Sequence, residues 1–132
     1  MVTRLKTTAE VENKLMELDR KIKLSSKAAI MRLALAYSIK IQTDPRMQND
    51  GIKHYDIRKQ DGMDYQRLTI FGQNEELYRL LMINQLGSGI SEDEFFPDLT
   101  FFHIERGINL LYSDYLYIND KDKFFEKLSS IN

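Results

Sequence analysis

The run Lys27 to Ile41, K-A-A-I-M-R-L-A-L-A-Y-S-I-K-I, constrains this chain more than any other stretch. Between its two lysines only Arg32 and Ser38 interrupt the apolar character. The run is too short, and too rich in alanine, for the roughly 20 apolar residues of a membrane span. A helix that is apolar nearly all round must be covered on nearly all sides. Ala28, Ala29, Ala34 and Ala36 let neighbouring backbones approach closely. The expectation is a central core helix, with part of its cover supplied by a second copy of so small a chain.

With 132 residues, 42% hydrophobic and 30% charged, the chain has the balance of one globular domain. It divides into a first part (1–41), a polar loop (42–64) and a helical second half (65–132). Met1 to Thr8 carries charges but no apolar block, so no signal peptide is expected and a cytoplasmic setting fits. The absence of cysteine excludes disulfides, thiolate metal sites, iron–sulfur ligation and any persulfide or thiol nucleophile. Net charge is −1, but residues 1–60 carry +6 and residues 61–132 carry −7. Such segregation points to a basic surface for an anionic partner and an acidic surface for something else. The plainer alternative is that the two halves pack together and cancel.

Val2 to Thr7 alternates, with Val2, Arg4 and Lys6 on one side and Thr3, Leu5 and Thr7 on the other, as in a short strand or extended arm. Thr7 or Thr8 can cap a helix with Glu10 and Glu12 in its first turn. Val11, Leu15, Leu18 and Ile22 form its apolar stripe. Lys14 and Lys21 lie a heptad apart beside that stripe, and Arg20 and Lys23 add charge near its end; a solvated helix face is the bland reading. Lys23-Leu24-Ser25-Ser26-Lys27 breaks the period, and Ser25 or Ser26 caps the central helix. Free backbone N–H groups, a hydroxyl and Lys27 at a helix N-terminus make a phosphate clamp, although most serine caps bind nothing.

Strand, helix, tight turn and helix in about 40 residues resemble the ribbon-helix-helix arrangement. There two subunits pair their strands, whose side chains enter the DNA major groove. The resemblance implies Arg4 and Lys6 as strand readers and Ser25, Ser26 and Lys27 as the phosphate anchor. The departure is the length of chain that follows.

Gln42 to Asp64 is mostly polar, with Pro45, Gly51 and Gly62 and a basic middle of Lys53, His54, Arg58 and Lys59. A loop this long is either functional or mobile; disorder, or ordering by a partner, is expected. Tyr65 to Gly72 alternates as a short strand ending at a glycine turn. Asn74 caps a helix carrying Glu75, Glu76, Leu77, Leu80, Leu81 and Asn84, which ends at Gly87 and Gly89. Ser91 and Glu94 read as a capping box, and Pro97 suits a first helical position. Phe101, Ile104, Ile108, Leu111 and Tyr115 then make a core stripe, with His103, Arg106 and Gly107 on a neighbouring face. Gly107 costs that helix up to about 1 kcal/mol, so close packing is expected there. A last helix, roughly Asp120 to Leu128, offers Phe124, Phe125 and Leu128 for docking.

Catalysis is not expected. The two histidines form no metal motif, and there is no phosphate loop, nucleophile elbow or H-E-x-x-H. His103 and Arg106 are the one candidate acid–base pair, for which a packed, hydrogen-bonded pair beside Gly107 is the more ordinary reading.

R-L-T-I-F-G at 67–72, E-E-L-Y-R-L-L at 75–81 and H-I-E-R-G-I at 103–108 are similar to motifs of DndE, a small family of the bacterial DNA phosphorothioation (sulfur-modification) system. The resemblance runs in order from about residue 8 to 117, and the turn at 23–27 lacks the family's glycine. It implies a mainly α domain with one or two short strands, acting as a nonenzymatic component without a cofactor. It further implies a homo-tetramer that prefers nicked duplex DNA, alongside the other phosphorothioation proteins and away from membranes. Lys14, Lys21, Lys23 and Lys27 would carry the DNA contact. Sulfur insertion would fall to a cysteine desulfurase and to ATP- and cluster-dependent partners. Two other readings stay open: a protein adaptor working through the −7 second half, and a nuclease using His103.

Overall fold

The computed structural model describes residues 2–22, 26–49, 51–118 and 126–129. Among them the chain is mainly helical, built on two long helices that cross. Helix α1 (Ala9–Ile22) starts where the Val11 N–H donates to the Thr8 hydroxyl at 3.0 Å, the expected cap. Its stripe Val11, Leu15, Leu18 and Ile22 is buried throughout. Helix α2 (Lys27–Ile39) is capped by Ser26, whose Oγ accepts from the Ala29 N–H at 3.1 Å.

The cover that α2 needs comes from the chain itself. Its most extensive partner is α5 (Thr100–Ile118), and α1 packs on it as well. Among the residues of α2 only Ala36 is exposed, so the expected demand on a second copy disappears at this helix. Gly107 makes the α2–α5 crossing possible: a Cβ there would stand 2.0 Å from the Ala34 carbonyl oxygen and 2.8 Å from its Cα. The close packing expected at Gly107 is present. Phe101, Ile104, Ile108 and Leu111 of the same helix are buried in the core.

Strand β1 (Arg4–Lys6) buries Leu5 and leaves Arg4 exposed, the alternation expected of it. Its partner, however, lies in its own chain. It pairs antiparallel with β4 (Asp64–Gln66), Arg4 opposite Gln66 and Lys6 opposite Asp64. The other edge is met by Tyr55, whose hydroxyl accepts from the Lys6 N–H at 2.7 Å. A strand engaged on both edges at Lys6 cannot form the intersubunit ribbon of a ribbon-helix-helix protein at that residue.

Between α2 and β4 the described residues are folded rather than loose; Asp50 lies outside them. Strands β2 (Met47–Gln48) and β3 (Gly51–Ile52) make a hairpin, followed by a helical turn at Ile57–Lys59. Arg46 is buried at the hairpin's base, 2.8 Å from Asp44 and 3.4 Å from Glu94. The Tyr55 N–H donates to Asp98 at 2.7 Å, and its ring packs on Phe101 with centroids 4.8 Å apart. These long-range anchors are why the expectation of disorder fails.

The strand expected over 65–72 is strand only at its start. Beyond Gln66 the chain turns into a short helix, α3 (Arg67–Phe71), because the buried side chains are Arg67, Ile70 and Phe71, at helical spacing. Helix α4 (Glu75–Leu86) follows and ends at Gly87 in the left-handed conformation, φ 80°. Asn74 stands at its N-cap position, with its carbonyl accepting from the Tyr78 N–H but without a side-chain capping bond. The capping box forms as expected: Glu94 N–H to Ser91 Oγ at 3.1 Å, Ser91 N–H to Glu94 Oε1 at 3.2 Å. Pro97 does not open α5. It falls inside a wide helical turn (Glu94–Leu99), and Phe96 before it is extended (φ −140°, ψ 121°), as a residue preceding proline prefers. Of the last expected helix, residues 126–129 are helical and Leu128 packs on the core; Phe124 and Phe125 lie outside the described residues. No helix among the described residues is long and apolar enough to cross a membrane.

Candidate nucleic-acid interface

The basic first part is organised by a carboxylate. Glu12 follows Val11 of the apolar stripe, so α1 carries it into the seam between the strands and α2, where it is 6% exposed. There it accepts from the Thr7 hydroxyl at 3.0 Å, the Lys27 ammonium at 3.1 Å and the Tyr65 hydroxyl at 2.6 Å. Burial and the Glu12 charge push the Tyr65 hydroxyl far above its ordinary pKa, keeping it a donor. A buried charge needs such compensation. Lys27 is thus an internal counter-ion as well as a cation at the N-terminus of α2.

The other side chains singled out in the sequence divide in the same way. Lys14 reaches Glu10 at 3.1 Å and Asn109 at 2.8 Å, with its ammonium 5.7 Å from the Tyr112 ring centroid. Ser26 caps α2 through its hydroxyl. Arg4 is exposed on β1 and edges a groove with Thr3, Gln66 and Gly72. Lys6 is half-buried beside it, while Arg20 and Lys21 are exposed at the end of α1. Lys23 and Ser25 lie outside the described residues. Glu17 and Asp19 interleave with Arg20 and Lys27 around a depression on the outer face of α1, so the surface is mixed rather than uniformly basic. Arg4 on β1 and Arg20 and Lys21 at the end of α1 are exposed cations.

The His103–Arg106 pair is brought together by Ser38 of α2. The Ser38 hydroxyl lies 2.8 Å from His103 Nδ1 and accepts from Arg106 Nε at 2.8 Å. The opposite ring nitrogen of His103, Nε2, is buried and meets no hydrogen-bond partner among the described residues. Arg106 also donates to the Ser38 carbonyl and to Thr43. His103 is fully buried, and burial, then the Arg106 charge, lowers its pKa to about 3. A histidine held neutral, with no exposure, is placed to tie α2 to α5, not to shuttle protons with solvent.

A third centre escaped the reading of the sequence. Arg67 is bound by Glu75 at 2.5 Å and by Glu92 at 2.5 Å, and Arg79 meets Glu92 at 2.9 Å. The Arg67 guanidinium stacks near Phe95 and Phe96, 5.4 and 5.0 Å from their centroids. These carboxylates hold Arg67 above even arginine's ordinary range. In the sequence, Glu75 is equally well explained as a first-turn helix residue, and nothing marks Glu92 as its companion. Among the described residues no cluster of three or more His, Cys, Asp or Glu side chains could hold a metal ion.

Fold and site together define a small, mainly helical protein whose buried Glu12, Arg46, Arg67 and Asp98 are paired and whose β1 and α1 carry exposed cations. The chain belongs to the DndE family: the model of the family described as DNA sulphur modification protein DndE matches residues 4–118. The fold is also that of a solved relative, "DndE from Escherichia coli B7A involved in DNA phosphorothioation modification". That chain is 18% identical, with a TM-score of 0.59 over 84% of this chain and 97% of that one. No curated protein matches. Family membership places the chain among the proteins of DNA sulfur modification.

Proposed function

We propose that this chain is a nonenzymatic, DNA-binding accessory subunit of the phosphorothioation system, acting in the cytoplasm as a homo-oligomer and engaging nicked duplex DNA beside the other modification proteins. The observation that carries the reading is the pairing of DndE family membership with exposed cations on β1 and at the end of α1, Arg4, Arg20 and Lys21. Lys14 and Lys27 each have a carboxylate partner at 3.1 Å, exposed Glu10 for Lys14 and buried Glu12 for Lys27. The buried, neutral His103 supports a role without acid–base catalysis. With a net charge of −1, binding depends on gathering a few cations on one surface, and an oligomer multiplies them.

The test is fluorescence anisotropy with nicked, intact and single-stranded DNA of one sequence at several salt concentrations. Tighter binding to the nicked duplex, weakening steeply with salt through counterion release, is expected. Reversing Arg4, Arg20 and Lys21 to glutamate should abolish binding and leave the circular dichroism spectrum unchanged. An unaltered affinity refutes the assigned surface. Failure to bind any of the three DNAs favours the adaptor reading, for which the −7 second half is the supporting feature.

A further inference from the structure

Two polar side chains interrupt the apolar run of α2. Ser38 is accounted for by His103 and Arg106, and Arg32 is not. Arg32 is half-buried and meets no carboxylate among the described residues. Its hydrogen bonds there run from Nη1 alone, to the carbonyls of Thr69 at 3.2 Å and Ile70 at 3.4 Å. They hold the guanidinium at the end of α3 beside Gly72, where a Cβ would lie 3.9 Å from Nη1. Gly72, in turn, lines an open groove of about 430 Å³. Arg4 lines the same groove, because strand pairing sets it opposite Gln66 while Leu5 beside it is buried. Like Arg32, Arg4 meets no carboxylate among the described residues. Arg67 and Glu75, also in the wall, are spent on one another at 2.5 Å. Leu68, 71% exposed, supplies an apolar side.

We infer that this groove takes the terminal phosphomonoester of a nucleotide, with Arg4 and Arg32 on the phosphate and Leu68 against the base. Charge and shape select that ligand. A phosphomonoester carries close to two negative charges and three open oxygens, which two guanidinium forks match. A diester inside a duplex carries one charge and a sugar on either side, so it meets an outer surface rather than a cleft. The groove falls within the roughly 300–1,000 Å³ of small-ligand sites, which accommodates one nucleotide and not a duplex. The inference deepens the proposed function and rests on it for the source of the nucleotide: a nick presents a phosphate on a strand end. A free mononucleotide presents the same chemistry.

Fluorescence anisotropy of the full chain tests this with nicked duplexes of one sequence that differ only in a 5′-phosphate or a 5′-hydroxyl at the nick. The phosphorylated nick should bind about tenfold tighter, the effect of a charge-assisted contact. Arg32→Gln, which removes one fork, and Leu68→Glu, which sets a carboxylate in the groove, should each erase that preference. Leu68 is exposed, so circular dichroism of Leu68→Glu should match the wild type, and this variant decides the matter if Arg32→Gln loosens α3. Deoxyadenosine monophosphate should compete for the phosphorylated nick until the two affinities are equal, and a phosphoserine peptide should not. Nicked duplexes bound without any preference overturn the ligand of the groove and leave the nicked-DNA reading standing. A preference that survives Leu68→Glu, or competition by the peptide as strong as by the nucleotide, also overturns the inference. A protein that binds none of the DNAs but binds deoxyadenosine monophosphate, and loses it in Leu68→Glu, supports the groove with a free nucleotide as its source and overturns the proposed DNA binding instead.

Discussion

Replacing Gly107 by alanine separates two accounts of this glycine by the sign of the effect. If it were an ordinary interior helix position, alanine would stabilise by about 1 kcal/mol through propensity. At the observed crossing the new methyl would stand 2.0 Å from the Ala34 oxygen and 2.5 Å from its carbonyl carbon. Ordinary contact between heavy atoms is about 3.5 Å, so α2 and α5 must part by roughly 1.5 Å. A gap of 0.5–1 Å already forfeits about a quarter to a half of a dispersion well of about 0.15 kcal/mol. The side chains meeting there include Ile30, Leu35, Ile104, Ile108 and Leu111, all at most 1% exposed. Taking about 55 atom pairs across the seam and halving their attraction loses about 4 kcal/mol. The propensity gain leaves a net destabilisation of about 3 kcal/mol, at the upper end for overpacking. Urea denaturation with an unchanged m-value measures it, and a loss of this size leaves a domain of ordinary stability folded. Ala34→Gly should not rescue the variant, because the atoms in the way are backbone. A Gly107→Ala protein as stable as the wild type, or more so, refutes the reasoning.

Two further perturbations follow from the buried polar centres. The folded protein holds His103 neutral down to about pH 3, whereas the unfolded chain takes up that proton below about 6.5. Stability therefore falls with pH across that window, by up to about 1.4 kcal/mol per pH unit from this group. His103→Gln should flatten the acid limb of a stability–pH curve, and an identical slope would show that His103 is protonated in the fold. Glu12→Gln keeps an acceptor for Tyr65, turns an amide NH2 toward the Thr7 hydroxyl, which can accept it, and releases Lys27 from its ion pair. DNA binding should then strengthen, with a salt dependence steeper by about one phosphate; an unchanged dependence would mean that Lys27 already contacts the DNA in the wild type.

The legible parts of this molecule are those whose cause is local. Val11, Leu15, Leu18 and Ile22 mark the buried face of α1 by spacing alone, Ser26 and the Ser91–Glu94 box stop or start helices through bonds a few residues long, and Gly107 advertises a close approach. The R-L-T-I-F-G and H-I-E-R-G-I motifs carried the family as well. Residues 65–72 misled because alternation and helical spacing coincide in so short a stretch, and only the burial of Arg67 between Glu75 and Glu92 selects the helix. The loop 42–64 misled because Arg46 and Tyr55 are anchored by Asp98, more than 40 positions away.

What the sequence determined by itself is the mainly α plan, the central apolar helix and the surplus of cations before residue 60. What only the tertiary structure decided is how those groups are used: α2 is covered by its own chain, the leucines of α4 are not, and Lys27 is held by Glu12 while Arg4 and Lys21 stay open. Helix periodicity is set by neighbours three and four residues away. Burial and ion pairing depend on which distant segments meet, and a single chain's pattern does not encode those distances locally.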